Sequence, residues 1–376
     1  MENLQIFNTL NSKKEVFTPI DNDHIKIYAC GPTVYNFAHI GNARMAVVFD
    51  TFVRTLRVIY PKVTYVSNIT DIDDKIIDAA KEQNVEISEI TEKYTQIYNE
   101  DMSMLNVLEP DIQPKATEYI PEMIALIEDL IAKEFAYEKD NHVLFHVPAY
   151  SKYGELSNRN REEQIAGSRV EIAPFKKDPS DFVLWKPSDD SQPGWDSPWG
   201  FGRPGWHTEC SAMSEKTLGL PFDIHGGGRD LIFPHHENEI AQSCCSTANI
   251  DEPDSYAKYW MHNGFVTIEG EKMSKSLGNI ILVRDLTNNY HGEAIRLALL
   301  SSHYRQGLDW NEKIIHQAKK LLTKIYQILD ELKDVREIES ESLNIEPITT
   351  LIDDLNTPGL IAELNQIAKE YNTNKD

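Results

Sequence analysis

Apolar and polar residues near the N-terminus alternate first with the period of a strand and then with that of a helix. Residues 25–29 alternate as a strand does, residues 30–42 hold glycine and proline, and residues 43–57 repeat apolar positions at helical spacing. Residues 62–70 then have the pattern of a second strand. A strand, a helix and a second strand in this order predict a βαβ unit, which implies a parallel sheet and an α/β fold.

The pattern changes character in the next hundred residues. Helices are predicted at 75–109 and 116–133. From 135 to about 205 the chain is rich in proline, glycine, serine and tryptophan, and a hairpin is predicted to turn at Asp140 and Asn141. This stretch has the character of an insertion into the parallel-sheet domain.

Helix and strand patterns return after residue 205. The predicted segments are a helix at 206–218, a strand at 222–225, a tight turn at 226–228, a helix beginning at Pro234, a strand-like run at 259–268 and helices from Leu282 onward. A chain of 376 residues exceeds one ordinary hydrophobic core, so two to four domains or subdomains are expected.

Composition indicates a globular protein of a reducing compartment, with 41% apolar and 26% charged residues. No apolar run approaches the roughly 18–20 residues that a membrane span needs. The N-terminus has neither the basic nor the apolar region of a secretory signal. Four scattered cysteines do not make a disulfide framework. These observations predict a cytoplasmic protein without a membrane segment.

The formal net charge of −23 argues against nonspecific nucleic-acid binding, since lysine and arginine supply most of that affinity. Net charge averages over the whole surface, so a local basic groove is compatible with it. Composition by itself therefore supports no nucleic-acid partner.

Two polar segments together predict an anion site. His39 and Asn42 lie at the start of the helix after the first strand, where free N–H groups and the helix dipole favour negative charge. Lys272 and Lys275 lie in a polar loop with two serines. Such a set would hold a triphosphate from two sides, with cations meeting the charge on departing pyrophosphate. The alternatives are a helix cap and a solvated surface loop.

A second set of residues has the chemistry of a metal site. Cys30 ends a strand, Cys210 lies in a predicted helix, and His235 and Glu239 are four residues apart, on one face of a helix. Two thiolates, an imidazole and a carboxylate form a competent Zn²⁺ set. Because these residues are not clustered in sequence, the alternative of buried small cysteines and a solvated turn stays open. A metalloprotease motif would need a second histidine where Ile240 stands.

The order and spacing of several motifs resemble those of the cysteinyl-tRNA synthetase family, which belongs to the class I aminoacyl-tRNA synthetases. The motifs are Cys-Gly-Pro-Thr-Val-Tyr at 30–35, His-Ile-Gly-Asn at 39–42, Gly-Trp-His-Thr-Glu-Cys-Ser-Ala-Met at 205–213, Gly-Gly-Gly-Arg-Asp-Leu at 226–231, Pro-His-His-Glu-Asn-Glu at 234–239 and Lys-Met-Ser-Lys-Ser at 272–276. The resemblance covers residues 20–310 strongly, and residues 353–358 resemble a family segment in a helical bundle. Asn42 departs from the signature, which usually ends in histidine.

The resemblance implies an α/β fold with a Rossmann-like parallel-sheet catalytic domain, an inserted connective subdomain and a C-terminal α-helical bundle. The implied boundaries are a split catalytic domain at 1–115 and 205–262, a connective insertion at 116–204, a region at 263–310 with the Lys-Met-Ser-Lys-Ser loop and tRNA-stem contacts, and an incomplete bundle at 311–376. The family normally continues into an anticodon-binding domain, so the chain is expected to lack the C-terminal part.

The resemblance also implies roles for single residues. The implied zinc ligands are Cys30, Cys210, His235 and Glu239, and one zinc ion would bind the substrate thiolate as a further ligand. The implied catalytic residues are His39, Asn42, Lys272 and Lys275, and the implied ATP-binding residues are His39, Gly41, Asn42 and Lys275, with Mg²⁺ accompanying ATP. The implied substrate-binding residues are Gly31, Thr33, Thr70, Trp206, His225 and Asp230.

The implied function is ATP-dependent activation of L-cysteine to cysteinyl-adenylate, followed by transfer to the 3′-terminal adenosine of tRNA(Cys). The expected partners are L-cysteine, ATP and tRNA(Cys), and the expected state is a monomer. One alternative is the cysteine ligase of mycothiol biosynthesis, which uses the same adenylate chemistry on an amino-sugar acceptor. A second alternative, a catalytically idle RNA-binding paralogue, is disfavoured because His39, Lys272, Lys275 and the metal set are all intact.

Overall fold

A computed structural model describes residues 3–160, 162–164, 174–189, 191–247, 250–274, 277–334 and 346–373. The strands are β1 (Gln5–Asn8), β2 (Lys13–Val16), β3 (Ile25–Ala29), β4 (Val63–Ser67), β5 (Ala136–Lys139), β6 (His142–Phe145), β7 (Phe182–Pro187), β8 (Gly202–Pro204), β9 (Phe222–Gly228), β10 (Ala257–Asn263), β11 (Val266–Ile268), β12 (Glu271–Lys272) and β13 (Leu308–Trp310). The helices are α1 (Ile40–Ile59), α2 (Asp74–Gln83), α3 (Ile87–Met104), α4 (Ile120–Ala132), α5 (Trp206–Leu218), α6 (Glu237–Ser246), α7 (Val283–Thr287), α8 (Gly292–Leu299), α9 (Glu312–Leu332), α10 (Glu346–Leu351) and α11 (Thr357–Thr373).

The central sheet is parallel and has the strand order β10–β9–β3–β4. Ile27 of β3 pairs with Tyr65 of β4 on one side and with Ile224 of β9 on the other. Side chains of β3 alternate between two cores, because helices cover both faces of the sheet. Ile27 packs with α1, and Tyr28 packs with the core that includes α4, α5 and α6. The predicted βαβ unit, the parallel sheet and the α/β class are confirmed.

A separate antiparallel sheet of order β5–β6–β7–β8 lies in the stretch rich in proline and glycine. Its first hairpin turns at Asp140 and Asn141, whose φ angles are 52° and 59°. Left-handed backbone at both turn positions suits the right-handed twist of the flanking strands. The predicted hairpin is confirmed.

The glycines at 226–228 belong to β9, so the predicted tight turn there is wrong. Gly226 pairs with Met261 of β10 as an ordinary strand residue. A Cβ atom on Gly226 would lie 2.2 Å from Phe49 Cζ, so helix α1 approaches the strand where a side chain is absent. Gly226 therefore marks a close helix–sheet contact and not a turn.

One further boundary agrees with the prediction and two differ from it. Phe233 has extended backbone with φ −139° and ψ 131°, and the residues that follow are helical and lead directly into α6, so helical backbone begins at Pro234 as predicted. The predicted helix at 75–109 is two helices, because Asn84 adopts left-handed backbone and ends α2. Residues 259–268 contain two strands, β10 and β11, which are separated where the Gly264 N–H donates to a carbonyl of a neighbouring loop.

The C-terminal part is mainly helical, with α9 packed against α8 and α11. Strand β13 interrupts the helical run that the pattern predicted, because it pairs with β11 in a small third sheet. No helix in the described part of the chain is both long and apolar enough to cross a membrane.

Candidate functional site

The candidate site lies at the carboxyl ends of the parallel strands. Cys30 and Gly31 directly follow β3, and Asn68 and Thr70 directly follow β4. Parallel strands all end at the same edge of the sheet, which is where open α/β folds bind ligands. Helix α1 also begins near this edge, so the predicted metal and anion residues enter one region.

The four residues proposed from sequence as metal ligands lie together and are buried. Their ligand atoms are all within 4.8 Å of one another. Cys30 Sγ is 3.6 Å from Cys210 Sγ and 3.7 Å from Glu239 Oε1, and His235 Nε2 is 2.9 Å from Glu239 Oε1. A tetrahedral zinc ion with bonds of about 2.0–2.3 Å separates its donors by about 3.3–3.8 Å. The donor set fits such an ion in chemistry, and the two distances from Cys30 Sγ fall in this range, whereas His235 and Glu239 are closer because they contact each other directly.

Two further histidines enter the same cluster. His236 Nε2 is 3.3 Å from Cys30 Sγ, and His225 Nε2 is 2.6 Å from Glu239 Oε2. Cys30, His225, His236 and Glu239 thus form a second, overlapping group of possible ligands. We call all six residues, Cys30, Cys210, His225, His235, His236 and Glu239, the thiol cluster. His225, expected in the substrate pocket, is fully buried against the Glu239 carboxylate.

Charge in the thiol cluster is set by burial and by close partners. Burial by itself would raise the pKa of Glu239, but His225 and His235 outweigh burial and hold that pKa well below its usual range. The hydrogen bond from the Cys30 thiol lowers the pKa of Cys210 to about 6, whereas burial raises the pKa of Cys30. A buried thiolate and carboxylate with imidazoles beside them supply the charge that binds Zn²⁺.

Neighbouring rings fix the orientation of two cluster histidines. Trp206 stacks on His235 at 4.2 Å between centroids, and His207 Nδ1 lies 2.9 Å from His235 Nδ1. Burial lowers the pKa of His207 to about 3, so neutral His207 accepts and His235 donates from Nδ1. The Nε2 atom of His235 therefore faces the cluster. His236 is held in the same way, with Nδ1 at 2.8 Å from His262 Nε2.

Asn68 connects two of the predicted substrate-binding residues with a predicted metal ligand. Its Oδ1 accepts the Gly31 N–H at 2.9 Å and lies 3.7 Å from Cys210 Sγ, and its Nδ2 donates to Thr70 Oγ1 at 3.3 Å. Thr33 pairs with Thr70 through a parallel bridge. A Cβ atom on Gly31 would lie 1.6 Å from the Asn68 carbonyl oxygen, so only glycine fits at this position. Gly31, Thr33 and Thr70 therefore line one wall beside the thiol cluster.

His39 and Asn42 cap helix α1 reciprocally. His39 Nδ1 accepts the N–H groups of Gly41 and Asn42 at 3.1 and 3.2 Å, and Asn42 Oδ1 accepts the His39 N–H at 3.1 Å. Burial lowers the pKa of His39, so the neutral ring carries its proton on Nε2. The capping geometry leaves the His39 Nε2–H and the Asn42 amide N–H groups as donors toward a ligand. The usual histidine is not needed for this cap, since the amide oxygen of Asn42 completes it.

The loop that follows β12 lies beside the same helix start. Backbone bonds join Ile40 N to Ile281 O at 2.9 Å and Val283 N to Ala38 O at 3.0 Å. A Cβ atom on Gly41 would lie 3.3 Å from Met273 Cε. We call His39, Gly41, Asn42 and Lys272 the helix-start site. The structure thus brings the two predicted phosphate-binding segments together.

Three further predicted residues lie at the surface of the protein. Lys272 is exposed, with Nζ at 5.8 Å from the Phe265 ring centroid. Asp230 is also exposed, in a short turn after β9, and Trp206 is partly exposed above His235. Lys275, predicted to be catalytic and to bind ATP, lies outside the described residues.

Four residues of the site were not predicted from the sequence. They are Asn68, His207, His236 and His262. The adjacent pair at 235–236 was a detectable signal for a second histidine ligand. Asn68 gave none, because a single asparagine after a strand is a common turn residue.

Comparison with known proteins assigns the chain to a family. Residues 16–320 match the family described as tRNA synthetases class I (C) catalytic domain. A cysteine–tRNA ligase of Parvibaculum lavamentivorans is 57% identical over 374 residues, which cover 99% of this chain and 79% of the relative. The chain belongs to the cysteine–tRNA ligase family. It is therefore an enzyme, a class I aminoacyl-tRNA synthetase, and the family resemblance of its motifs is confirmed.

Other similar proteins agree with this assignment. A cysteine–tRNA ligase of Rhodospirillum rubrum is 56% identical over 361 residues, which cover 96% of this chain and 78% of the relative. Among solved structures, Mycobacterium tuberculosis methionyl-tRNA synthetase in complex with methionyl-adenylate has a TM-score of 0.71 at 14% identity, with 93% of this chain and 83% of that chain covered. Thermus thermophilus arginyl-tRNA synthetase has a TM-score of 0.56 at 11% identity, with 97% and 76% covered. These two structures show a shared fold.

Proposed function

We propose that this synthetase activates L-cysteine with Mg·ATP and transfers it to the 3′-terminal adenosine of tRNA(Cys). The observation that carries the proposal is the thiol cluster, because two cysteine sulfurs 3.6 Å apart beside Glu239 and His235 form a sulfur-rich donor set at the edge of the sheet. The names of the relatives support the same amino acid. The helix-start site lies at that edge too, so amino acid and ATP would meet there.

The proposed zinc ligands are Cys30, Cys210, His235 and Glu239. A bound Zn²⁺ supplies a position that accepts the thiolate of cysteine well and the hydroxyl of serine poorly. Cys210 supports this choice over the overlapping group, since it adds a second sulfur 3.6 Å from Cys30 Sγ, whereas each group has a histidine oriented by a neighbouring ring. Gly31, Thr33 and Thr70 would line the pocket with Trp206, His225 and Asp230, where they orient the amino acid.

The first chemical step forms a bond between the carboxylate oxygen of cysteine and the α-phosphorus of ATP. The bond from that phosphorus to the bridging oxygen breaks, and pyrophosphate leaves with the electron pair. In the second step a ribose hydroxyl attacks the carbonyl carbon of the adenylate, and the bond from that carbon to the phosphate oxygen breaks. AMP leaves with the electron pair, and the hydroxyl proton passes to its phosphate. Neither step demands a protein nucleophile, so the enzyme acts through position and charge.

The helix-start site would serve the phosphates in the first step. The His39 Nε2–H and the Asn42 amide donate to phosphate oxygens, and the N–H end of α1 favours their negative charge. Lys272 and Lys275 would meet the charge that develops on pyrophosphate. All four residues act on the reacting phosphates and not on the thiol of the amino acid.

Exchange of labelled pyrophosphate into ATP tests this function. Zinc-replete enzyme is expected to catalyse the exchange with cysteine, and serine is expected to support it at least about 1,000-fold less well, because serine lacks the sulfur that the metal prefers. No cysteine-dependent exchange would refute the proposal. If the enzyme ligates cysteine to an amino-sugar acceptor and does not charge tRNA(Cys), it would instead be the cysteine ligase of mycothiol biosynthesis.

We also propose that the enzyme acts as a monomer in the cytoplasm. All four cysteines are buried and unpaired, which suits a reducing compartment. Sedimentation of the purified enzyme and fractionation of its host cells would test the two statements separately.

A further inference from the structure

Arg44 is a fully buried cation two residues beyond the helix-start site. It is the fifth residue of α1, at the start of the second turn, and its exposed fraction is 0%. Its Nη1 donates to the carbonyl oxygens of Gly264 and Phe265, each at 2.9 Å, and its Nη2 donates to the His303 carbonyl oxygen at 3.2 Å. One side chain thus joins α1 to two other segments of the chain.

The charge of Arg44 has no carboxylate to offset it among the described residues. Burial lowers the pKa of Arg44 to about 10, and the side chain stays cationic at neutral pH. Burying a charge without a carboxylate is costly, and three carbonyl oxygens of two other segments supply the hydrogen bonds that offset this cost. The guanidinium is therefore bound to the position of those two segments.

The carbonyls that Arg44 holds lie where the chain leaves the central sheet for the Lys272 loop. Gly264 and Phe265 connect β10 to β11, and β11 leads directly to β12, which ends at Lys272. The same connection is also bonded to the segment that contains His303, since the Gly264 N–H donates to the Tyr304 carbonyl oxygen at 2.7 Å. A guanidinium presents several donors in a rigid plane, so it can fix both segments at once.

We propose that Arg44 is a positioning residue that holds the connection leading to Lys272 in register with the start of α1. This inference rests on the proposed function, in which His39, Asn42 and Lys272 act on the same ATP. Displacement of a catalytic group by about 1 Å can cost about 100-fold in rate, so a rigid link between the two segments has a direct effect on the first step. Arg44 does not touch the substrate in this proposal.

The test compares Arg44→Lys and Arg44→Gln with wild type in cysteine-dependent pyrophosphate exchange. Rates are expressed per active site, by titration of the adenylate burst, and the KM values for ATP and cysteine are measured separately. Arg44→Lys keeps the charge but loses the planar fork, and we expect kcat to fall about 10-fold to 100-fold with the cysteine KM within about two-fold of wild type. Arg44→Gln is expected to fall further.

Arg296→Lys is the matched control. Arg296 is also largely buried, and it joins α8 to α1 through Asp50 and Thr51, but it contacts neither Gly264 nor Phe265. We expect Arg296→Lys to lower the melting temperature and to leave kcat and both KM values unchanged. If Arg296→Lys loses as much activity as Arg44→Lys, the proposal is overturned, because weakening any contact of α1 would then be enough to lower kcat.

The remaining outcomes are also decisive. Wild-type rates per active site in both Arg44 variants would overturn the proposal, even with a lower melting temperature. Failure of both variants to fold would assign Arg44 to stability and would overturn it as well. A parallel rise in the cysteine KM would do the same, since the thiol cluster would then be disturbed. Absence of exchange in wild type refutes the proposed function itself, which separates the two failures.

Discussion

The thiol cluster and the helix-start site lie at the same edge of the sheet but are held in different ways. Every member of the thiol cluster is buried, and its side chains are fixed by one another and by stacked rings. The helix-start site is built from partly exposed caps and an exposed lysine. Amino-acid selection would thus depend on a rigid dry cluster, and phosphate chemistry on groups that adjust to ATP.

The largest expected effect comes from Cys210→Ser, which removes a proposed ligand from the buried cluster. We expect bound zinc to fall to near zero and cysteine-dependent exchange to fall at least about 1,000-fold. Mutation of a residue that contacts a ligand but not the metal typically lowers metal affinity or activity only about 10-fold to 100-fold. The measurements are metal content and exchange rate. Cys244→Ser is the matched control, since Cys244 is a buried cysteine outside the cluster with carbonyl and hydroxyl partners. Full zinc content in Cys210→Ser would contradict the ligand set.

The second prediction separates the capping role of His39 from its donor role. Asparagine caps helices well, so His39→Asn is expected to keep the melting temperature of wild type while it loses the Nε2–H donor. We expect kcat of the exchange to fall about 100-fold, the usual effect of removing one such donor. His39→Ala serves as the comparison and should also lose about 0.5–2 kcal/mol of stability. Wild-type kcat in His39→Asn would assign His39 to the cap alone.

The smallest expected effect is that of Asn42→Asp, which changes a donor without removing the cap. The carboxylate still accepts the His39 N–H and is favourable near a helix N-terminus, so the melting temperature should not fall. Its charge opposes phosphate, and we expect the KM for ATP to rise about 10-fold with the cysteine KM unchanged. Titrations of both substrates check this. An unchanged KM for ATP would show that the Asn42 side chain does not face the nucleotide.

The sequence by itself determined the parallel sheet and the start of helix α1. The βαβ unit follows from a period of two changing to a period near 3.6 within residues 25–70, and the cap follows from His39 and Asn42, which are three residues apart. These features depend on local periodicity and local hydrogen bonds, which a linear sequence records directly. The Asp140–Asn141 turn was predictable for the same reason.

Only the tertiary structure decided how the distant residues meet. Cys30 and Cys210 are 180 residues apart, and their contact depends on β3, α5 and the whole connection between them. The placement of His225 against Glu239 and the two segments joined by Arg44 also depend on packing across the sheet. Local patterns do not predict such contacts. A cysteine at the end of a strand has the same kind of local pattern whether or not a second cysteine lies beside it in the fold. The close approach of α1 to Gly226 also depends on packing between distant segments. For this reason the sequence pattern predicted a turn where the structure has a strand.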